Sequence, residues 1–201
     1  EAAGSAQIYI LNEVVVTPTP TDTGEVTLTP TPTQPAGTQL VQNGGFENAG
    51  GLEPWSVKNA SGDKLKCKPA KSIANSGDCA FQFKNKGNNS GALSQKLDGE
   101  TLSLSAGDTV TLSLYVRSKQ GAEGKAKVVF KHGDDSETKI TLNLSNTSSQ
   151  YQQFVDSKTL QSGDVEKVKL TIKSVSASGK LYVDDVSLIA ADSGKAVFSL
   201  P

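Results

Sequence analysis

The sequence predicts an all-β domain, an antiparallel β-sandwich or barrel, carried behind an extended N-terminal arm. Three observations point there. Short runs of alternating apolar and polar residues recur from Thr38 onward, turn residues punctuate them at near-regular spacing, and no helical period intervenes. In DTVTLSLYV, Val110, Leu112, Leu114 and Val116 face one way, with Thr109, Thr111, Ser113 and Tyr115 opposite. Alternation of that kind describes a strand buried on one face.

In chain order, residues 1–16 form an N-terminal strand with apolar positions Ile8, Ile10, Val14 and Val16. Ile10–Val16 aligns without a gap on Tyr182–Leu188: apolar, apolar, acidic or amide, acidic, then apolar or small. Two readings follow. The arm is the tail of a preceding tandem module, or it is an assembly strand donated to a neighbouring molecule's sheet. Head-to-tail donation does not close on itself, so the second reading predicts a homopolymeric filament. Residues 17–37 are a Thr-Pro-rich linker, in which alternating proline fixes φ, removes backbone donors and favours an extended spacer. The globular domain then occupies residues 38–201. Its first run, TQLVQN, enters the turn signal Asn43-Gly44-Gly45. The later runs are CAFQFK, GALSQKL, DTVTLSLYV, AKVVFKH, TKITLNL, YQQFV, EKVKLTI and KLYVDDVSLI, each bounded by Gly, Asn, Asp or Ser clusters.

Charge and cysteine content narrow the function. The net charge of −1 conceals an asymmetry. Residues 1–36 hold four acidic and no basic residues, or −4, and the remainder holds 20 basic and 21 − 4 = 17 acidic residues, or +3. Lysine dominates, Arg117 is the single arginine, and no basic stripe interleaved with aromatics stands out, so no nucleic-acid partner is expected. No run approaches the ~20 apolar residues of a membrane span, which predicts no direct membrane insertion. The chain starts at Glu1 without a leader, as a processed or truncated chain does. Cys67 and Cys79 read as a disulfide in an exported protein, worth about 3 kcal/mol, against the alternative of two cytosolic thiols. The Thr-Pro repeats and the sequons at Asn59, Asn88, Asn143 and Asn146 favour an extracellular or cell-surface location.

Catalysis is not expected. No pair of carboxylates is marked for glycoside hydrolysis, and neither zinc-ligand spacing, a phosphate loop nor Gly-x-Ser-x-Gly occurs. The one histidine, His132, sits in the turn-like Lys131–Asp134 stretch and reads as a surface residue. Asp134-Asp135 beside Gly133 reads as a hairpin turn.

Five segments in order carry a resemblance: Leu40–Glu47 followed by Trp55, Ser76–Ala80, Leu104–Val116, Tyr151–Phe154 and Leu181–Leu188. Over residues 38–190 the chain resembles the jelly-roll carbohydrate-binding modules of families 4, 9, 16 and 22. The resemblance implies a jelly roll and a polysaccharide or cell-surface glycan as partner. It also implies a structural calcium held by the Gly45 carbonyl and by Glu47, Asp184 and Asp185, a mixed oxygen set of the kind calcium takes. Sugar C–H faces stack on aromatic rings. Trp55, Phe46, Phe81, Phe83, Phe130 and Phe154 fall on core faces, which leaves Tyr115 and Tyr151 as platforms. Gln95, Arg117, Gln152 and Asn85 are their polar partners.

Overall fold

The computed structural model describes residues 37–49, 51–58, 62–85, 91–146, 148–162 and 164–191. The expectations for the N-terminal strand (Ile8, Ile10, Val14 and Val16), for most of the linker, and for Asn59 and Asn88 lie outside them.

Eleven strands follow in order among the described residues: β1 Thr38–Gln39, β2 Ser56–Lys58, β3 Lys64–Cys67, β4 Cys79–Lys84, β5 Ala92–Asp98, β6 Thr109–Lys119, β7 Glu123–His132, β8 Glu137–Ser145, β9 Gln152–Thr159, β10 Val165–Ser174 and β11 Lys180–Ala191. They pair antiparallel in two sheets. One runs β3-β4-β11-β6-β9, with β1 added on β11; the other runs β2-β5-β10-β7-β8. The sequence runs become strands because each supplies an apolar row to one interior. Phe81 and Phe83 come from β4, Leu112, Leu114 and Val116 from β6, and Leu181 and Val183 from β11. Facing them are Ala126, Val128 and Phe130 from β7 and Leu170 and Ile172 from β10, all fully buried. Two sheets closing on one interdigitated core make the sandwich that the alternation predicts.

The turn after β1 anchors that core. Gly44 lies so close to β11 that a Cβ there would stand 1.9 Å from the Val186 carbonyl oxygen. A glycine is needed for this approach, and it lets the Val186 N–H donate to the Gly44 carbonyl at 3.0 Å. Asn43 holds the loop that follows by donating from Nδ2 to the carbonyls of Gly51 and Glu53. Phe46 and Trp55 then pack in the core with ring centroids 5.7 Å apart, and the Trp55 indole N–H donates to the Asn43 carbonyl.

Cys67 and Cys79 form the expected disulfide, facing each other across β3 and β4. The hairpin at Asp134-Asp135 is also present: Asp134 accepts from the Ser136 N–H, and Asp135 pairs with Lys131 at 2.8 Å. Two expectations need correction. His132 is not a surface residue; it ends β7 facing inward, 1% exposed, with Nε2 2.9 Å from the Thr138 hydroxyl. The alternation Ala126, Val128, Phe130 carries it inside. Asn146 is no accessible sequon, because its buried side chain donates to the carbonyls of Val116 and Gln150. Asn143, on β8, is exposed. Among the described residues, no helix is long and apolar enough to cross a membrane.

Candidate functional site

The outward face of the six-stranded sheet carries most of the residues singled out by sequence. Register puts Arg117 of β6 opposite Tyr182 of β11, and Tyr115 between Asp184 of β11 and Gln153 of β9. Outward side chains should be wet, yet Tyr182 and Gln82 are only 5% and 4% exposed. Over Tyr182 lies the Arg117 guanidinium, which in turn holds the segment from Lys68 to Asp78, whose two ends are clipped together by the disulfide.

Each contact of that loop comes from a residue of the site. The Arg117 guanidinium donates to the carbonyls of Ser72 and Ile73, both at 3.1 Å. It also lies over the rings of Tyr151 and Tyr182, at 5.0 and 4.7 Å from their centroids, a doubly cation–π position. The Tyr151 hydroxyl donates to the same Ile73 carbonyl at 2.6 Å. Asp184 accepts from the N–H groups of Asn75 at 2.7 Å and Ser76 at 3.3 Å, and from that of Asp185 at 2.8 Å. Asp185 accepts from the Asn75 amide and the Ser76 hydroxyl. Glu47 accepts from the N–H groups of Asp78 and Cys79. Gly77, at φ 58°, lets Glu47 in, since a Cβ there would stand 2.5 Å from Oε1.

Burial sets the electrostatics. The Asp184 carboxyl is pushed up to about 7, first by burial and then by the charge of Asp185; the N–H groups of Asn75, Asp185 and Ser76 oppose the rise. Burial likewise raises the Tyr151 hydroxyl, against the pull of Arg117.

The residues of the calcium expectation lie close to one another. Glu47, Asp184 and Asp185 all reach the same loop, and Gly45 borders Asp185. Their oxygens, however, are aimed at the chain's own donors. Among the described residues no three acidic, histidine or cysteine side chains converge on a point that could hold a metal. What Asp184 and Asp185 do form is a pair of adjacent carboxylates, and no ion pair among the described residues reaches either.

The ligand-binding expectations divide as well. Arg117 and Tyr151 come together, but under the loop, with the Arg117 terminal amines and the Tyr151 hydroxyl bonded to its carbonyls. Tyr115 stands outward and half-buried beside them, with exposed Gln153 and Val155 next to it on the edge strand β9. Gln152 is exposed at the start of β9. Gln95 is a correction: it lies in the other sheet, faces inward at 1% exposure, and exchanges two 2.9 Å hydrogen bonds with the Gln42 backbone. A ligand cannot reach it. Asn85 is buried too and donates to the Ser178 carbonyl. Tyr182 and the Ser72–Ser76 backbone were missed by the sequence reading. Tyr182 was in view only as part of the closing strand, and nothing in the loop's composition marks its fold-back.

Residues 38–182 match the model of a family described as "Carbohydrate binding domain". The chain belongs to that family. Among curated proteins none matches this carbohydrate-binding domain. Its fold is similar to a family 61 module solved with β-1,4-galactotriose, at 20% identity and TM-score 0.59, covering 77% of this chain and 99% of that one. It is similar to a family 16 module at 18% identity and TM-score 0.53, over 75% and 99% of the two chains. It is similar also to a xylan-binding family 22 domain from Paenibacillus barcinonensis, at 17% identity and TM-score 0.52, over 79% and 97%. At these identities the likeness concerns the sandwich, not the ligand.

Proposed function

We propose that this carbohydrate-binding domain is a non-catalytic attachment module that works outside the cell and grips a glycan on the open part of the six-stranded sheet's outward face. One observation carries the choice of surface. Tyr115 shares that face with Val155, which is 57% exposed and is one of two large exposed apolar side chains among the described residues. Gln153 stands directly opposite Tyr115. An aromatic ring, an apolar neighbour and an amide in one strip offer a stacking surface and a polar group that fixes orientation, as sugar sites require. The loop held by Arg117 and Tyr151 walls the strip on one side, so those two residues shape the site from beneath.

Calcium belongs to this reading as a proposal, supported by the Asp184–Asp185 pair. A divalent ion would offset charge that no lysine or arginine pairs with among the described residues.

The deciding experiment is calorimetric titration of the full chain with soluble galactan, xylan and mixed-linkage glucans, repeated on Tyr115→Ala. The expected result is binding to at least one glycan and a loss of about tenfold or more in the variant, the scale of one buried aromatic contact. Blank titrations across the panel, or unchanged affinity in Tyr115→Ala, would overturn the assignment.

A further inference from the structure

The outward face of the five-stranded sheet is a lattice of lysines. Read across β2, β5, β10, β7 and β8, one row is Lys58, Ala92, Lys173, Lys125 and Asn143. The next is Ser56, Ser94, Thr171, Lys127 and Thr141. The third, from β5 to β8, is Lys96, Lys169, Val129 and Lys139. No acidic residue stands in these three rows; Asp98 and Glu137 lie in the row beyond, and Glu123 lies past the opposite end. Among the described residues the ion pairs are Lys131–Asp135 and Lys139–Glu137, so Lys58, Lys96, Lys125, Lys127, Lys169 and Lys173 have no carboxylate partner. These rows carry no aromatic residue, so the expectation of no basic stripe interleaved with aromatics stands. The lysines sit on separate strands, and only strand register gathers them.

A merely solvated surface mixes its signs. This one sets like charges directly opposite, at Lys125–Lys173 and Lys96–Lys169, an arrangement that destabilises a sheet. Alternate residues of a strand stand about 6.6 Å apart and neighbouring strands about 4.8 Å. Neighbouring charges therefore lie within one Debye length, about 10 Å at 0.1 M salt, and their fields add. A groove of about 270 Å³ runs between Lys125, Lys127, Val129, Lys169, Thr171 and Lys173.

We infer that this face binds an acidic polysaccharide, one bearing carboxylate groups on its sugar rings. The lysines meet the carboxylates, and the hydroxyl row of Ser56, Ser94, Thr171 and Thr141 between them meets the ring hydroxyls. Nucleic acid fits less well. Single strands are held by stacking bases on aromatic rings, and these rows hold none. Duplex readers send an element into a groove, which a flat sheet face does not do. The surface lies on the opposite sheet from Tyr115 and stands independently of that strip.

The test is affinity electrophoresis and calorimetry of the full chain with polygalacturonate, its fully methyl-esterified form, and a single-stranded oligonucleotide matched in charge. Polygalacturonate is expected to bind at low salt, with affinity falling linearly in log salt, as counterion release requires. The esterified form should bind about tenfold or more weakly. The Lys125→Gln, Lys169→Gln, Lys173→Gln triple variant should lose polygalacturonate by a similar factor and keep or raise its melting temperature, because all three side chains are exposed and opposed like charges are removed. Tyr115→Ala should leave polygalacturonate binding unchanged, so that failure of one surface is distinguishable from failure of the other. Equal binding of the acid and esterified forms, or unaltered affinity in the triple variant, overturns the inference. An oligonucleotide bound as tightly as polygalacturonate overturns the glycan assignment in favour of an unselective polyanion surface.

Discussion

Asp184 concentrates the conflict in this domain between burial and charge. Its side chain accepts three N–H groups, which favour the carboxylate, yet it has no exposed surface and borders Asp185. Burial prevails, so the folded carboxyl titrates at about 7 while the unfolded one titrates near 3.8. A folded pKa above the unfolded one means that the native state holds the proton more tightly. Below pH 4 both states are protonated and the group contributes nothing to the balance. Between pH 4 and 7 the native state retains a proton that the unfolded state has lost, and stability falls across that window. Three pH units at about 1.4 kcal/mol each set a ceiling near 4 kcal/mol; about 2 kcal/mol is expected once the loop admits some water. Urea unfolding in chelator should show this decline in the wild type and a flatter profile in Asp184→Asn. The variant will start lower, because an amide NH2 then faces N–H donors, so the slope is the readout. Calcium should flatten the wild-type profile by holding Asp184 ionised, and should raise the midpoint. Identical profiles in calcium and chelator would dispose of the ion.

The loop from Lys68 to Asp78 has little apolar content of its own, with Pro69, Ile73 and two alanines as its apolar residues. What orders it is the ring of donors and acceptors beneath it and the Cys67–Cys79 closure across 12 residues. Replacing both cysteines by serine should cost about 2–3 kcal/mol. It should also let water reach Tyr151, lowering the hydroxyl that burial now holds up. Spectrophotometric titration should then show one tyrosine ionising at lower pH than in the parent. A variant that loses stability with no change in that titration would mean that the loop stays closed without its clip. Loops of this kind explain where legibility stopped. Long strands such as β6, β7 and β10 were plain in the sequence because alternation over nine or more residues has no other reading. The short β2 and β3, three and four residues long, offer too little alternation to be seen. His132 was legible and overlooked, since its strand's period already pointed it inward. Gln95 was not: a polar residue at an inward position is explained only by the backbone of Gln42, 53 residues away in sequence.

At the scale of the whole molecule, the charge asymmetry read from sequence acquires a location. Part of the excess of base over acid after residue 36 gathers in the middle rows of one sheet, where six lysines stand without a carboxylate partner. Residues 1–36 supply −4, which turns a +3 module into a chain of −1. Long-range fields depend on the sum as well as on the patch, so at low salt the acidic arm should weaken polyanion binding whatever path it takes. A chain beginning at Gly37 keeps every described strand, and should therefore fold and keep its glycan specificity. It should elute later from a cation exchanger and bind polygalacturonate a few-fold more tightly at about 0.01 M salt, where the Debye length of about 30 Å spans the domain. By about 0.15 M salt, where that length is about 8 Å, the two chains should bind alike. A difference that persists undiminished at high salt would mean that the arm competes by contact rather than by field. No difference at low salt would mean that its charge does not reach the lysine face.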